Sequence, residues 1–188
     1  PICEKERKTL ETLLTTPVSR FDILVGKMAV VISSGLLSAV LAIVGLFVAV
    51  RTTGGMPDFF AGMVSGMLSL YFVLVLLVML LPLTIFFAGI MIPMTIYAKS
   101  YKEAQSILSP MTFFVIFPAI IGLMPGIELT TVTALIPIVN ISLATKEVLA
   151  GTIQTPQLII TIVSLIAYAT ISVLFCVRWF GKETHILR

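Results

Sequence analysis

The sequence predicts an all-α integral membrane protein with four transmembrane helices, and three observations support this fold class. Of the 188 residues, 59% are hydrophobic and only 11% are charged, whereas a soluble domain carries about a quarter charged residues. The mean hydropathy is +1.15, and several apolar runs exceed the roughly 18 residues that are typical of a membrane-spanning helix. Short segments of alternating polarity, which build transmembrane barrels, are absent from the sequence.

The N-terminal segment, residues 4–27, is the most charged part of the chain. Its apolar residues have the i, i+3, i+4, i+7 spacing of one face of a helix, and charged residues fill the first two turns mostly off that face. These apolar residues are Leu10, Leu13, Leu14 and Pro17. Because proline disfavours helical geometry at the preceding residue, the amphipathic helix is expected to end at Pro17. Ser19 with Asp22 forms a weak capping box, so a second helix is expected from Arg20.

The first two spans are predicted at residues 28–50 and 68–97. The first would be about 34 Å long, enough to cross a hydrocarbon core of about 30 Å. The second would be about 45 Å long, too long for one upright crossing, while two crossings of half that length would be too short. A tilted or kinked helix is therefore predicted, with kinks at Pro82 and Pro93. Hydroxyl groups after each proline are expected to satisfy the backbone groups that the prolines free. These hydroxyl groups belong to Thr84 and Thr95.

The last two spans are predicted at residues 107–124 and 158–177. A short polar loop is expected before the third span, at residues 98–106. The fourth span ends next to Trp179, a residue type that is enriched at the membrane–water interface.

Residues 127–157 are too apolar for a soluble loop and too interrupted for a span. Asn140 is expected to cap a helix that runs to Ala150, and Gly151 to end it. Ile141, Ala144 and Val148 would form its apolar face. Two arrangements stay open for the segment. It is either an amphipathic helix in the outer interface or a re-entrant hairpin buried in protein.

The basic residues predict the orientation of the spans. Ten of them fall on one side of the four-span arrangement and two, Arg51 and Lys146, on the other. Basic residues are enriched on the cytoplasmic side of membrane proteins. Both ends of the chain are therefore expected in the cytosol, and residues 127–157 outside. The net charge of +3 reflects this bias and gives no reason to expect nucleic-acid binding.

The spans lack the side chains of intramembrane catalysis and ion relays. No Asp, Glu, Lys, Arg or His lies inside any predicted span, and the chain has a single His. The two cysteines, Cys3 and Cys176, lack metal-site or redox spacing and are expected as reduced thiols. No glycine-rich phosphate-binding loop occurs, so no cofactor is expected on this chain. Energy for active transport would have to come from another polypeptide, with the N-terminal segment as its expected contact.

Several stretches resemble the permeases of type-2 ABC exporters, and within them the sodium-efflux permeases of the NatB kind. The most specific matches are residues 4–27 and 98–110. Supporting matches are residues 136–140, 149–151 and 178–188. Lys8 departs from the family, which has glycine there, so the local turn geometry around it is in question.

The resemblance implies that this chain is the C-terminal part of a permease with six spans. It would hold spans three to six and lack the first two, and the chain does begin with Pro1 rather than Met. Two permease copies, as a homodimer or heterodimer, would pack together in the cell membrane. Each would dock on an ATP-binding subunit that carries the ATP and Mg. The residues expected to contact that subunit are Glu4, Glu6, Arg7, Thr9, Leu10, Glu11, Leu13, Leu14, Pro17 and Arg20.

The function predicted from these observations is that of a membrane permease subunit in an ATP-driven exporter, and not of an enzyme. Sodium as the substrate comes from the resemblance alone, and drugs, peptides and lipids stay open because the family exports these too. A non-transporting membrane scaffold is the alternative. An intramembrane enzyme is disfavoured because the spans lack buried carboxylates and histidines.

Overall fold

The computed structural model describes residues 20–52, 64–96, 98 and 100–182, and every regular element in these ranges is helical. The elements are α1 (Arg20–Thr52), α2 (Leu70–Ile96), α3 (Tyr101–Leu123), one 3₁₀ turn (Thr133–Leu135), α4 (Val139–Ala150) and α5 (Thr155–Lys182). The predicted all-α class is confirmed. The predicted docking helix before Pro17 lies outside the described residues.

Four of these helices are long and apolar enough to cross a membrane. Their apolar stretches are Asp22–Thr52, Leu70–Thr95, Tyr101–Gly122 and Thr155–Trp179, in α1, α2, α3 and α5 respectively. The predicted number of four transmembrane helices is therefore confirmed. The chain is a multi-pass membrane protein.

Helix α2 is central, and its most extensive contact is with α5. Two clusters of buried residues show that α2 and α5 run parallel. Met79 and Leu165 meet in one cluster, and Ile92 and Cys176 meet in the other, further along both helices. Leu24, near the start of α1, joins the second cluster, so α1 runs antiparallel to them. Parallel α2 and α5 require a crossing between them in the opposite direction, which α3 provides.

The helices cross most closely at glycines that face hydroxyl-bearing residues. An ideal Cβ on Gly35 of α1 would lie 3.0 Å from Cγ2 of Thr84 on α2. One on Gly89 of α2 would lie 2.9 Å from the backbone oxygen of Ser172 on α5. A third on Gly122 of α3 would overlap the side chain of Ser142 on α4. Small residues let helix backbones approach closely in lipid, where no hydrophobic driving force holds helices together.

Helix α2 continues through Pro82 and Pro93, as predicted for the second span. Contrary to the expectation from the sequence, Thr84 and Thr95 do not bond to the carbonyls that the prolines free but to other carbonyls of α2. A proline frees the carbonyl four residues before it, yet Thr84 Oγ1 donates to the carbonyl of Leu81 and Thr95 Oγ1 to that of Ile92, each at 2.8 Å. Each threonine thus bonds to the residue immediately before the proline.

The polar loop predicted at residues 98–106 is wrong, because α3 already begins at Tyr101. Ser100 is its N-cap, and the Ser100 hydroxyl accepts a hydrogen bond from the backbone N–H of Glu103 at 3.3 Å. This bond satisfies one of the free donors in the first turn. Helix α3 therefore carries its polar first turns beyond the apolar run.

Helix α4 ends as predicted but begins differently. Gly151 is its C-cap in the left-handed conformation, with φ of 68°. The predicted N-cap role of Asn140 is wrong, because the cap position is Ile138 and Asn140 is the second helical residue. Its side chain points into the protein and bonds there. Because Asn140 lies one residue inside the helix, its side chain faces the core and not the free N–H groups of the first turn.

The buried face of α4 is covered by protein. Leu143 and Ala144 are fully buried, and α4 contacts α2, α3 and α5. Two charged side chains hold the preceding loop against the helix. Lys146 Nζ donates to the carbonyls of Met124 and Ile127 at 3.1 and 3.2 Å. The backbone N–H of Leu129 donates to Glu147 at 2.6 Å. The depth of α4 in the membrane stays a prediction.

Candidate functional site

The residues predicted to contact an ATP-binding subunit lie immediately before α1. Nine of the ten fall outside the described residues, namely Glu4, Glu6, Arg7, Thr9, Leu10, Glu11, Leu13, Leu14 and Pro17. The tenth, Arg20, is the first residue of α1. The structure therefore shows what this segment leads into, which is the start of the longest helix.

The first turns of α1 are packed into the bundle. Leu24 is 2% exposed and Met28 is 8% exposed. They form a cluster with Ala88 and Ile92 of α2 and Cys176 of α5, which we call the basal cluster. Further along α1, large apolar side chains such as Val30 and Leu41 are exposed. The firmest attachment of α1 to the bundle is therefore next to the N-terminal segment.

The basal cluster lies at the basic end of the bundle. The antiparallel arrangement brings together the start of α1, the end of α2 and the end of α5, and the short connection after α2 places the start of α3 there too. Lys27, Lys102 and Arg178 are carried by these helix ends. The opposite end carries Arg51 and Lys146. The helices thus group the basic residues as the sequence predicts.

The opposite end contains the apical cluster. It comprises Met79, Leu129, Ala134, Val139, Leu143, Ala144 and Leu165. Beside it lies a polar group that sequence reasoning missed. Asn140 Nδ2 donates to the carbonyl of Ala134 and to Ser164 Oγ, each at 3.1 Å. Of Asn140, Ala134 and Ser164, the sequence pattern singled out Asn140 alone, and it did so as a helix cap.

The two clusters define a mechanical arrangement rather than a reaction centre. In the described part of the chain, no three His, Cys, Asp or Glu side chains come together as a metal site would require. What the geometry offers is a packed contact among three helices directly after a charged segment. Close-packed protein interiors are hardly compressible and transmit displacement.

The described residues form a bundle with four helices of membrane-spanning length, preceded in the sequence by a charged segment. Residues 2–184 match the sequence model of ABC-2 family transporter proteins, and the chain belongs to this family. This confirms the family resemblance.

One relative supports the same assignment. The chain is 32% identical over 193 residues to the ABC transporter permease protein NatB of Bacillus subtilis (strain 168). The alignment covers 98% of this chain and 47% of that protein, so the chain spans about half the length of the curated relative that it matches. No solved structure matches the chain.

Proposed function

We propose that the chain is the coupling half of a permease subunit in an ATP-driven exporter. Residues 4–20 would dock on a separate ATP-binding subunit, and the spans would respond. The observation that carries the proposal is the continuity of the chain. The charged segment of an ABC-2 family protein runs directly into α1, whose first turns are buried in the basal cluster.

The basal cluster supplies a route for the movement. A push on the N-terminal segment reaches α1 at Leu24 and Met28, which contact α2 and α5 in the same cluster. Because these side chains are buried against one another, a displacement of α1 would be passed to the adjoining ends of α2 and α5. Beyond the cluster many large apolar side chains of α1 are exposed, and its close contact with α2 there is at Gly35 and Thr84.

The proline at position 17 gives the segment two parts. A docking helix before Thr16 would contact the ATP-binding subunit, and the run from Ser19 would enter α1. A proline at this junction would interrupt helical hydrogen bonds between the two parts. A movement of the docking helix can then become a tilt of α1.

The partners and the location belong to the same proposal. The basic end faces the cytosol of a cell whose plasma or inner membrane holds the protein, in line with the enrichment of Lys and Arg on that side. A second permease copy, identical or related, completes the pathway. ATP and Mg bind to the partner subunit, so this chain is a transport subunit and not itself an ATPase. Sodium is the proposed substrate, from the resemblance to sodium-efflux permeases.

The test uses the full-length permease with its ATP-binding subunit in sealed vesicles. ATP-driven efflux is measured for sodium and for a panel of drugs, alongside ATP hydrolysis. The triple charge reversal Glu4→Lys, Glu6→Lys and Arg7→Glu should abolish ATP-driven efflux and subunit co-purification. The matched control is Glu128→Lys, an exposed charge at the opposite end, which should leave both intact.

Two results would contradict the proposal. If ATP-driven efflux persists in the triple variant, residues 4–20 do not dock on the ATP-binding subunit as proposed. A wild-type complex that moves neither sodium nor any drug, and that hydrolyses ATP independently of the permease, would favour the scaffold. Efflux of drugs without sodium would overturn only the proposed substrate.

A further inference from the structure

The polar group at the apical end contains two buried oxygens without partners. Asn140 and Thr161 are fully buried, and Ser164 is 5% exposed. Asn140 Oδ1 and Thr161 Oγ1 have no hydrogen-bond partner among the residues that the structure describes. Nearly all buried polar atoms in native proteins bond to protein or to ordered water, so this pair requires an explanation.

The orientation of the Asn140 amide is fixed by its neighbours. Its Nδ2 lies 3.1 Å from the carbonyl oxygen of Ala134, which can only accept. The nitrogen must therefore be on that side, and Oδ1 must point away from it. A flipped amide would bring two acceptors together. With the nitrogen on that side, Asn140 Oδ1 has no hydrogen-bond partner among the described residues.

The neighbouring protein groups are already engaged. The Ala134 carbonyl accepts from Asn140 Nδ2, and the single hydroxyl proton of Ser164 has two acceptors in reach, the carbonyls of Ala134 at 2.8 Å and of Thr161 at 2.9 Å. Ser164 Oγ also accepts from Asn140 Nδ2 at 3.1 Å. Both amide hydrogens of Asn140 are used as well. No protein group of this set is left to bond the two free oxygens.

One of the two oxygens belongs to a helix that is long and apolar enough to cross a membrane. Thr161 is in the apolar stretch Thr155–Trp179 of α5, and six residues from its start correspond to about 9 Å along the helix. Hydrocarbon contains no water to bond to exposed polar groups, so groups at this depth must be satisfied inside the protein.

We propose that one ordered water molecule binds between Asn140 and Thr161 and bridges the start of α4 to α5. Asn140 already bonds to Ser164, and Thr161 precedes Ser164 by three residues on the same face of α5. Ser164 Oγ also lies 2.9 Å from the Thr161 carbonyl oxygen, so Asn140 and Thr161 both adjoin the same serine. A water with two hydrogen bonds of about 2.8 Å can bridge oxygens of such neighbours. The water donates to Asn140 Oδ1 and exchanges a hydrogen bond with the Thr161 hydroxyl.

A water fits this site better than a metal cation. Only two oxygens are free, both are neutral, and the hydrogens of Asn140 Nδ2 lie next to them. A buried cation needs several oxygen ligands or a compensating negative charge. Water needs two to four polar partners, which the site provides.

The first test is a high-resolution structure of the full-length permease with its partner subunit in lipid nanodiscs. We expect one peak of density about 2.7–3.2 Å from both Asn140 Oδ1 and Thr161 Oγ1. A map that resolves other ordered waters but shows no peak here would overturn the proposal. So would a Thr161 hydroxyl turned back to a carbonyl of its own helix.

The second test is the isosteric substitution Thr161→Val, followed by thermal unfolding of the same complex. If the water is present, the change removes one of its partners and should lower the Tm by about 2–4 °C. If the site is dry, the change removes an unsatisfied hydroxyl and should raise the Tm. The control is Thr170→Val, whose hydroxyl bonds to the Ile166 carbonyl of α5 at 2.8 Å and which should change the Tm little.

Thermal unfolding in two different salts distinguishes a bound water from a bound cation at this site. Wild-type complex is unfolded in sodium chloride and in choline chloride at equal ionic strength. If the site holds water, the difference in Tm between Thr161→Val and wild type should be the same in both salts. A stabilisation by sodium that Thr161→Val abolishes would identify a cation site instead and overturn the proposal.

Discussion

Gly89 of α2 touches the backbone of Ser172 on α5. An ideal Cβ on Gly89 would lie 2.8 Å from the carbonyl carbon of Ser172 and 2.9 Å from its oxygen. The same serine donates from Oγ to the carbonyl of Phe86 at 2.6 Å. A hydrogen bond and a backbone contact therefore fix the distance between the two helices that share the most extensive interface.

Gly89→Ala should destabilise the protein. The added methyl group meets backbone atoms that cannot rotate aside, and overpacking costs about 1–3 kcal/mol. The gain in helix propensity, up to about 1 kcal/mol, does not offset this. A lower Tm in detergent checks the prediction. Gly45→Ala on α1 is the control, because nothing lies within 4 Å of its Cβ position, and its Tm should be unchanged or slightly higher.

Leu24→Ala should weaken both packing and coupling at the basal cluster. Lipid tails are as apolar as leucine, so the loss comes mainly from the cavity that remains and should be about 1–3 kcal/mol. In the assay with the ATP-binding subunit, we expect less efflux for each ATP hydrolysed. Val25→Ala is the control, because Val25 is 45% exposed. An equal loss with both variants would argue against a special role of the basal cluster.

Replacing Thr16 and Pro17 by two glycines should uncouple ATP hydrolysis from transport. Glycine removes the fixed backbone angle of proline and adds flexibility to the junction. The docking helix could then move without moving α1. Hydrolysis should continue while efflux falls, measured in the same vesicles. An unchanged ratio of efflux to hydrolysis would show that the junction needs no defined geometry.

Glu147→Ala should loosen the loop before α4. The change leaves the partly buried N–H of Leu129 without its acceptor, at a cost of about 1–3 kcal/mol. Glu147→Gln keeps an acceptor oxygen and should recover most of the lost stability. The Tm of both variants is compared with that of Glu128→Ala, in which the removed carboxylate is exposed. Equal effects of the alanine and glutamine variants would mean that charge rather than the hydrogen bond matters.

The fold class and number of spans could be predicted from the sequence because lipid imposes a simple rule. A span needs a long apolar run, and such runs are visible in one chain. The end of α4 was also predictable, since the left-handed conformation of Gly151 is a local property. The sequence also carries a signal for the start of α3, because Ser100 and Glu103 have the spacing of a capping box. The polar composition of the region nevertheless favoured the prediction of a loop.

The close helix contacts and the Asn140 environment could not be predicted in this way. Ser164 lies 24 residues beyond Asn140 in the chain, so the local pattern showed only a residue type that favours caps. Gly89 and Ser172 are likewise joined by folding and not by any spacing. Local patterns in one sequence do not reveal which distant residues meet.

The length of α1 makes the protein sensitive to its lipids. Its 33 residues extend about 50 Å, whereas the 23 residues of α3 extend about 35 Å. A hydrocarbon layer of about 30 Å suits α3 almost upright, while α1 must lean or project beyond it. Acyl chain length should therefore alter the lean of α1 more than that of α3. Membrane thickness would then act on the helix that follows the proposed docking segment.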